Sequence, residues 1–143
     1  MKLLSLFFFL LILCSSKPIG PDKKERLNGT FEGKSQSYYV SENYWGQVKL
    51  QFLEGKIVDV KFKIRDSTLH EPFDAKYEAH FTGNELYIQQ SRNDWKGVQY
   101  YPKKLLEKQD IKDVDAVSGA TWSYNFFRSC VEKALKDTAK ASK

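Results

Sequence analysis

Val48-Lys49-Leu50-Gln51-Phe52-Leu53-Glu54-Gly55-Lys56-Ile57-Val58-Asp59-Val60-Lys61-Phe62-Lys63-Ile64-Arg65 is the stretch that decides the fold. Val48, Leu50 and Phe52 alternate with Lys49 and Gln51. Val58, Val60, Phe62 and Ile64 alternate with Asp59, Lys61, Lys63 and Arg65. Successive strand side chains point to opposite faces, so this period of two puts one face in a core and one in water. Leu53-Glu54-Gly55-Lys56 between the runs reads as a turn, with glycine where a positive φ is needed. Together the runs predict an antiparallel hairpin.

Outward from the hairpin the signals weaken. Upstream, residues 29–40 mix glycine, serine and aromatics, and Tyr38, Tyr39 and Val40 favour a strand near its end. Downstream, residues 66–72 read as loop, and residues 75–81 suit a short helix or a strand equally. Gly83-Asn84 is a turn, and residues 85–89 read as a strand. Residues 91–97 are polar around Trp95. Tyr100-Tyr101-Pro102 leads into a short helix over residues 103–109, with proline at its start and Leu105 and Leu106 inside. Residues 122–136 form a long helix. Phe127, Val131, Ala134 and Leu135, helped by Cys130, share one stripe, and Arg128, Glu132 and Lys136 lie largely on the other. The polar end, residues 137–143, is expected to fray. The class is α+β, an antiparallel sheet of hairpins with a C-terminal helix and one or two short helices packed on it. No internal repeat is present.

The chain has 143 residues, enough for one domain. A hydrophobic share of 41% with 15% aromatics suits a packed core and excludes a disordered chain. The formal net charge of +5 is spread along the chain. Nucleic-acid binding would need a denser basic patch with stacking aromatics in a known module, so no nucleic-acid partner is expected. His70 and His80 are isolated, with no metal-ligand spacing and no nucleophile arranged around them.

Met1-Lys2 precedes an apolar run, residues 3–13, broken only by Ser5. The run is short for a membrane span and has the proportions of a signal peptide. Cys14 directly after it looks like a bacterial lipoprotein site, where the thiol is acylated. Leu11-Ile12-Leu13 lacks the small residue usual before such a cysteine, so cleavage after Ser15 or Ser16 is the alternative. Either route exports the domain, and lipidation anchors it to the membrane on the extracytoplasmic side, periplasmic or at the cell surface. The expected division is residues 1–16 as signal peptide, 17–28 as tether, 29–138 as the domain and 139–143 as tail. With Cys14 lipidated, Cys130 has no intramolecular disulfide partner. It reads as a small core residue.

Asp115-Ala116-Val117-Ser118-Gly119-Ala120-Thr121-Trp122-Ser123 stands where the long helix begins. The Gly119-Ala120 pair lets a ligand approach the backbone closely. First-turn amides of a helix have no internal partner and carry partial positive charge, so an anion fits there. The residues predict a phosphate held at this corner close to Thr121.

Asp115 to Thr121 also resembles the flavinylation motif of the FMN-binding domain family, which includes the extracytoplasmic flavin subunits of the sodium-pumping NADH–quinone reductase. Upstream, Gly29-Thr30-Phe31-Glu32-Gly33 and Glu54-Gly55-Lys56-Ile57-Val58-Asp59-Val60 are similar to that family's opening strands. The resemblance implies FMN joined by a phosphoester to Thr121, attached by a separate magnesium-dependent flavin transferase. Asp115 would help bind that enzyme or its metal, or hold the turn. Ser118 and Ser123 would hydrogen-bond the phosphate or cap the helix locally. Gly119 and Ala120 would give room. Trp122, Trp95, Tyr100 and Tyr101 are candidates to face the flavin ring. Thr68 lies in a loop that touches the flavin in related domains. The function so implied is extracytoplasmic electron transfer between membrane-bound redox partners. The alternatives are a noncovalent FMN-dependent reductase module and a non-flavin binding lipoprotein of the same fold.

Overall fold

The computed structural model describes residues 27–38 and 41–141. The signal segment, Cys14 and nearly all of the tether lie outside the described residues. Three strands form one antiparallel sheet in the order β1 (Gly29–Gln36), β2 (Tyr44–Leu53) and β3 (Lys56–Asp66). The hairpin anticipated from the alternation is β2–β3. Its turn places Glu54 at φ 50° and Gly55 at φ 79°, the two positive angles that match the twist of a two-residue hairpin.

One detail of the alternation is corrected. Gln51 pairs with Asp59 but Phe52 pairs with Ile57, so Val58 is the extra residue of a β-bulge. The bulge turns Ile57 into the core and leaves Val58 44% exposed. The inward face of the sheet carries Val48, Leu50, Phe52, Ile57 and Ile64, while Lys49, Lys61 and Lys63 face water.

Two helices cover that inward face. α2 (Thr121–Ala141) lies on β1 and β2, and α1 (Glu85–Lys108) lies on β3 and beside α2. α2 extends past the predicted residue 136. Phe127, Cys130, Val131 and Ala134 are fully buried along its stripe. Backbone contact is close: a Cβ on Gly33 of β1 would sit 1.8 Å from the Cys130 carbonyl oxygen. No helix among the described residues is long and apolar enough to cross a membrane.

α1 is the larger correction. Residues 85–89 are not a strand, and the short helix over 103–109 is only the end of a 24-residue helix. Asn84 caps its start, the side chain accepting from the Tyr87 amide, and Gln109 ends it at φ 66°. Pro102 sits inside the helix rather than at its start. Gln109 then reaches the sheet: its Nε2 donates to the Ile57 carbonyl at 2.9 Å, and its Oε1 accepts from the Ile57 amide at 2.8 Å. Residues 75–81 resolve into a 3-10 helix, Tyr77–Phe81, and a second one, Ile111–Asp113, follows α1. The architecture is α+β: a three-stranded antiparallel sheet with the C-terminal helix and α1 packed on one face.

Candidate functional site

The corner before α2 is built by α1. The Val117 amide donates to the Tyr101 hydroxyl at 3.1 Å, and that hydroxyl donates to the Ala120 carbonyl at 2.9 Å. Tyr101 is fully buried, so one core side chain ties both ends of the turn to α1. Gly119 adopts φ 80°, a conformation that favours glycine, and a Cβ there would meet only the movable tip of Asn93, Nδ2 at 2.8 Å. Ala120 is buried, and its carbonyl accepts the Tyr124 amide at 3.1 Å, which opens the helix. Gly97 of α1 faces this point. A Cβ on it would lie 2.5 Å from Ser123 Oγ and 3.0 Å from the Ala120 Cβ.

Asp94 closes the first turn. Its Oδ1 accepts from the Ser123 amide at 3.0 Å and lies 2.9 Å from Ser123 Oγ, while Oδ2 accepts from Gln90 Nε2 at 2.6 Å. Burial pushes the Asp94 carboxyl above its ordinary value, and the bonds from Ser123 and Gln90 only partly offset this. Gln90 Nε2 also donates to the Gly119 carbonyl at 3.0 Å. The carboxylate therefore sits against the positive end of α2, as a buried acid should.

Thr121 is exposed at the first position of α2, where the amides of Thr121 and Trp122 have no partner inside the helix. It borders a cavity of about 400 Å³, a volume within the range of small-molecule sites. Tyr44, Phe73, Phe81, Tyr87 and Trp122 supply aromatic walls; Glu42, Gln90, Ser91 and Asp94 supply polar groups. Trp122 packs at 5.2 Å from Tyr44 and 5.1 Å from Phe73 between ring centroids, and its Nε1 donates to Glu42 at 2.8 Å. Tyr44 is held in turn by Tyr77, whose hydroxyl donates to Asp66 at 2.5 Å. A second cavity, of about 460 Å³, lies on the other side of Trp122 toward Ser35 and Glu132, and Thr121 does not border it.

The structure brings Thr121 and Trp122 together on the first cavity. Ser118 and Asp115 are exposed on the corner but do not line it, and Gly119 and Ala120 form its backbone bend. Ser123 is fully buried with its amide and hydroxyl engaged by Asp94, a local capping role. Of the four aromatics expected near a flavin ring, only Trp122 lines the cavity. Tyr101 is core, Tyr100 lies outside, and Trp95 lines a separate cleft of about 130 Å³. Thr68 is also elsewhere, its hydroxyl accepting from Asn43 at 3.0 Å. His80 pairs with Glu71 at 2.7 Å, and no cluster of metal-ligating side chains occurs among the described residues. Sequence reasoning missed Tyr44, Phe73, Phe81, Tyr87, Gln90, Ser91 and Asp94. They come from four elements or loops, and no spacing links them.

This cavity suits a flat aromatic heterocycle with polar edges. Aromatic walls meet its faces, a polar end meets its edge, and the helix N-terminus with exposed Thr121 meets a phosphate. Among the described residues Ser91 Oγ is the buried side-chain oxygen without a hydrogen-bond partner.

No curated protein matches this chain. Among solved structures, a crystal structure of a Clostridium perfringens protein is similar at a TM-score of 0.57 and 23% identity, covering 81% of this chain and 91% of that one. A solution structure from Clostridium thermocellum aligns at 21% identity and a TM-score of 0.45, over 77% and 90% of the two chains. The first shares the fold. Residues 43–136 match the FMN-binding domain model, a span that holds the β2–β3 hairpin, α1, the corner at Thr121 and most of α2. The chain belongs to the FMN-binding domain family, and its cofactor is FMN.

Proposed function

We propose that this flavoprotein is an extracytoplasmic electron carrier whose FMN is joined through a phosphoester to Thr121. The observation that carries the reading is the position of Thr121. It is an exposed hydroxyl residue at a helix N-terminus on the lip of an aromatic-walled cavity. Exposure lets a separate flavin transferase reach the hydroxyl. The amides of Thr121 and Trp122 stabilise the phosphate charge, and Gly119 keeps the approach free of a side chain. Trp122, Tyr44, Phe73 and Phe81 hold the ring and exclude water from its faces. The bound flavin supplies one- and two-electron redox chemistry, and the protein sets its orientation and surroundings. The motif carries no nicotinamide site, so donor and acceptor are other, membrane-bound proteins.

The N-terminal apolar run followed by Cys14 supports export and a lipid anchor on the extracytoplasmic face. A phosphoester suits that compartment, since a flavin lost outside the cytoplasm is hard to replace. The test is co-expression with a flavin transferase. The expected result is a fluorescent band on a denaturing gel at the protein's mass. Intact mass should rise by FMN minus water, map to Thr121, and show no gain in Thr121→Ala. Flavin released on denaturation would favour a noncovalent reductase module and overturn the phosphoester. Separately, Cys14→Ser should move the protein from the membrane fraction to the soluble exported fraction.

A further inference from the structure

Both helices lie on the inward face of the sheet, and among the described residues no element covers the other face. The register fixes what that open face carries. Glu32, Lys49 and Lys61 form one row across the three strands, and Lys34, Gln47 and Lys63 form the next. Trp45 and Arg65 pair beyond them. Lys49 and Lys61 stand directly opposite each other, an arrangement that costs a sheet stability. Glu32 answers Lys49 at 2.8 Å, but Asp59 reaches Lys61 only at 3.8 Å. Lys34 and Lys63 have no carboxylate partner among the described residues. Their Nζ atoms lie 5.6 and 5.8 Å from the centroid of the half-buried Trp45 ring. Two shallow hollows open on this face and its β1 edge. One, of about 320 Å³, is bordered by Lys49, Lys61 and Lys63; the other, of about 380 Å³, by Lys34, Trp45 and Lys133 of α2. No carboxylate borders either. A face that keeps like charges opposed and leaves lysines unanswered is suited to an anionic partner.

We propose that this open sheet face docks on a bilayer surface that carries anionic phospholipid. The bilayer is the one to which the export reading assigns the chain; neither FMN nor the phosphoester enters the argument for binding. The position of the cavity at Thr121 favours a membrane over an acidic protein. Tyr44 of that cavity stands on the inward face with Val48 and Leu50, so the flavin site and the lysines lie on opposite sides of the sheet. A redox partner must come to the flavin, and it leaves the lysine face unused. The cavity is bordered by Glu42 and Asp94 and by no cation. The molecule is therefore electrically two-sided, and an anionic surface that attracts the sheet turns the cavity outward toward its partners. Trp45 among lysines is also interfacial chemistry: the indole seats at headgroup depth while ammonium groups reach phosphate. The tether leads to the same place. The Leu27 carbonyl accepts the Gly55 amide at 2.9 Å, so the chain joins the sheet at the β2–β3 turn. Residues 15–26 reach at most roughly 40 Å, which keeps the face near a lipid at Cys14. Lys23, Lys24 and Arg26 precede Leu27 and add to the attraction.

The experiment uses the exported chain as Cys14→Ser, so that no lipid is attached, and sediments it with vesicles. One set is phosphatidylcholine alone; the other contains about one third phosphatidylglycerol. The chain should bind the second set, ignore the first, and come off as salt is raised. Lys61→Gln with Lys63→Gln should bind about 25-fold more weakly, about fivefold per lysine. Lys96→Gln with Lys103→Gln removes the same charge from exposed positions of α1 on the helix side and should bind like the parent. All three should melt alike, since exposed substitutions cost little. Lipids brominated on their chains should quench tryptophan emission in the parent and not in Trp45→Phe. No binding to the phosphatidylglycerol vesicles would overturn the proposal and leave the face to an acidic protein. Equal losses in the two lysine pairs would reduce the attraction to net charge and overturn the assignment of the face. Quenching that survives Trp45→Phe would overturn it as well, because another side would then meet the lipid. Binding through the face is released by salt, so fractionation of Cys14→Ser after a salt wash still reads the lipid anchor by itself.

Discussion

At the scale of single residues, two buried acids hold the site from opposite sides and respond to pH in opposite senses. Asp66 is 7% exposed at the end of β3. Burial pushes its carboxyl up, but bonds from the Tyr77 hydroxyl and the Leu69 and Thr68 amides outweigh this, and the net shift is downward. Its contribution to stability is present above the ordinary aspartate value of about 3.9 and is lost as pH falls through the lowered folded value. Asp94 is shifted up, so its contribution is full below the ordinary value and is lost as pH rises through the raised one. Urea melts between neutral pH and about pH 3 should show wild type losing stability on acidification below about pH 4. Asp66→Asn should lose less over that window. An acid limb of the same slope in both proteins would remove Asp66 from the account. The same network orders Tyr44, so Asp66→Asn should also loosen the cavity wall opposite Thr121. Cys130 is inert by comparison: burial pushes its thiol up to about 12, and alkylation at Cys130 should occur only in denaturant.

At the scale of elements, the decisive contacts are backbone approaches that glycine permits. α2 lies so close on β1 that a Cβ at Gly33 would overlap the Cys130 carbonyl. The neighbour is helix backbone and cannot step aside. Gly33→Ala should cost about 3 kcal/mol, at the upper end of overpacking penalties, and lower the thermal midpoint by about 10 °C. A midpoint within one degree of wild type would mean that helix and strand are further apart than described. Gly97 plays the matching part between α1 and the corner, where Ser123 Oγ and Ala120 leave no space. The same contact explains why α1 was hard to read. Its inward positions begin Ser91, Asp94, Gly97 and Val98, and become apolar throughout only at Tyr101 and Leu105. The first half packs on a polar corner rather than on an apolar core, so the expected hydrophobic stripe is missing. Leu86 and Tyr87, within the segment expected to be a strand, are exposed on the helix. Pro102, which suggested a start, lies inside the helix.

At the scale of the whole molecule, the cavity joins elements distant in the chain. Its walls come from β2, the segment after β3, the 3-10 helix and both long helices. A ligand that bridges so many elements stabilises the folded state by mass action. At free FMN a hundred times its dissociation constant, the folding free energy should rise by about 2.7 kcal/mol. In calorimetry, protein loaded at Thr121 should keep its raised midpoint after dilution and dialysis, and Thr121→Ala should lose its gain with the free flavin. Equal midpoints for loaded and unloaded chains would mean that the flavin hangs outside the fold and the cavity is not its seat.

The sequence by itself determined the β2–β3 hairpin, the long C-terminal helix and the corner from Asp115 to Thr121. Each is written in local chemistry: a period of two, a helical stripe, and small and hydroxyl residues at a helix start. It also yielded the burial of Cys130 and the α+β class. Only the tertiary structure decided that residues 85–108 form one helix, that Ile57 rather than Val58 faces inward, and that Ser123 belongs to Asp94. It alone gathered Tyr44, Phe73, Phe81, Tyr87 and Ser91 beside Thr121. The physical reason is one of range. A turn or a periodic run is fixed by neighbours in the chain, whereas a cavity is the space left between elements. That space depends on how closely glycines let them approach and on which polar groups find partners across it.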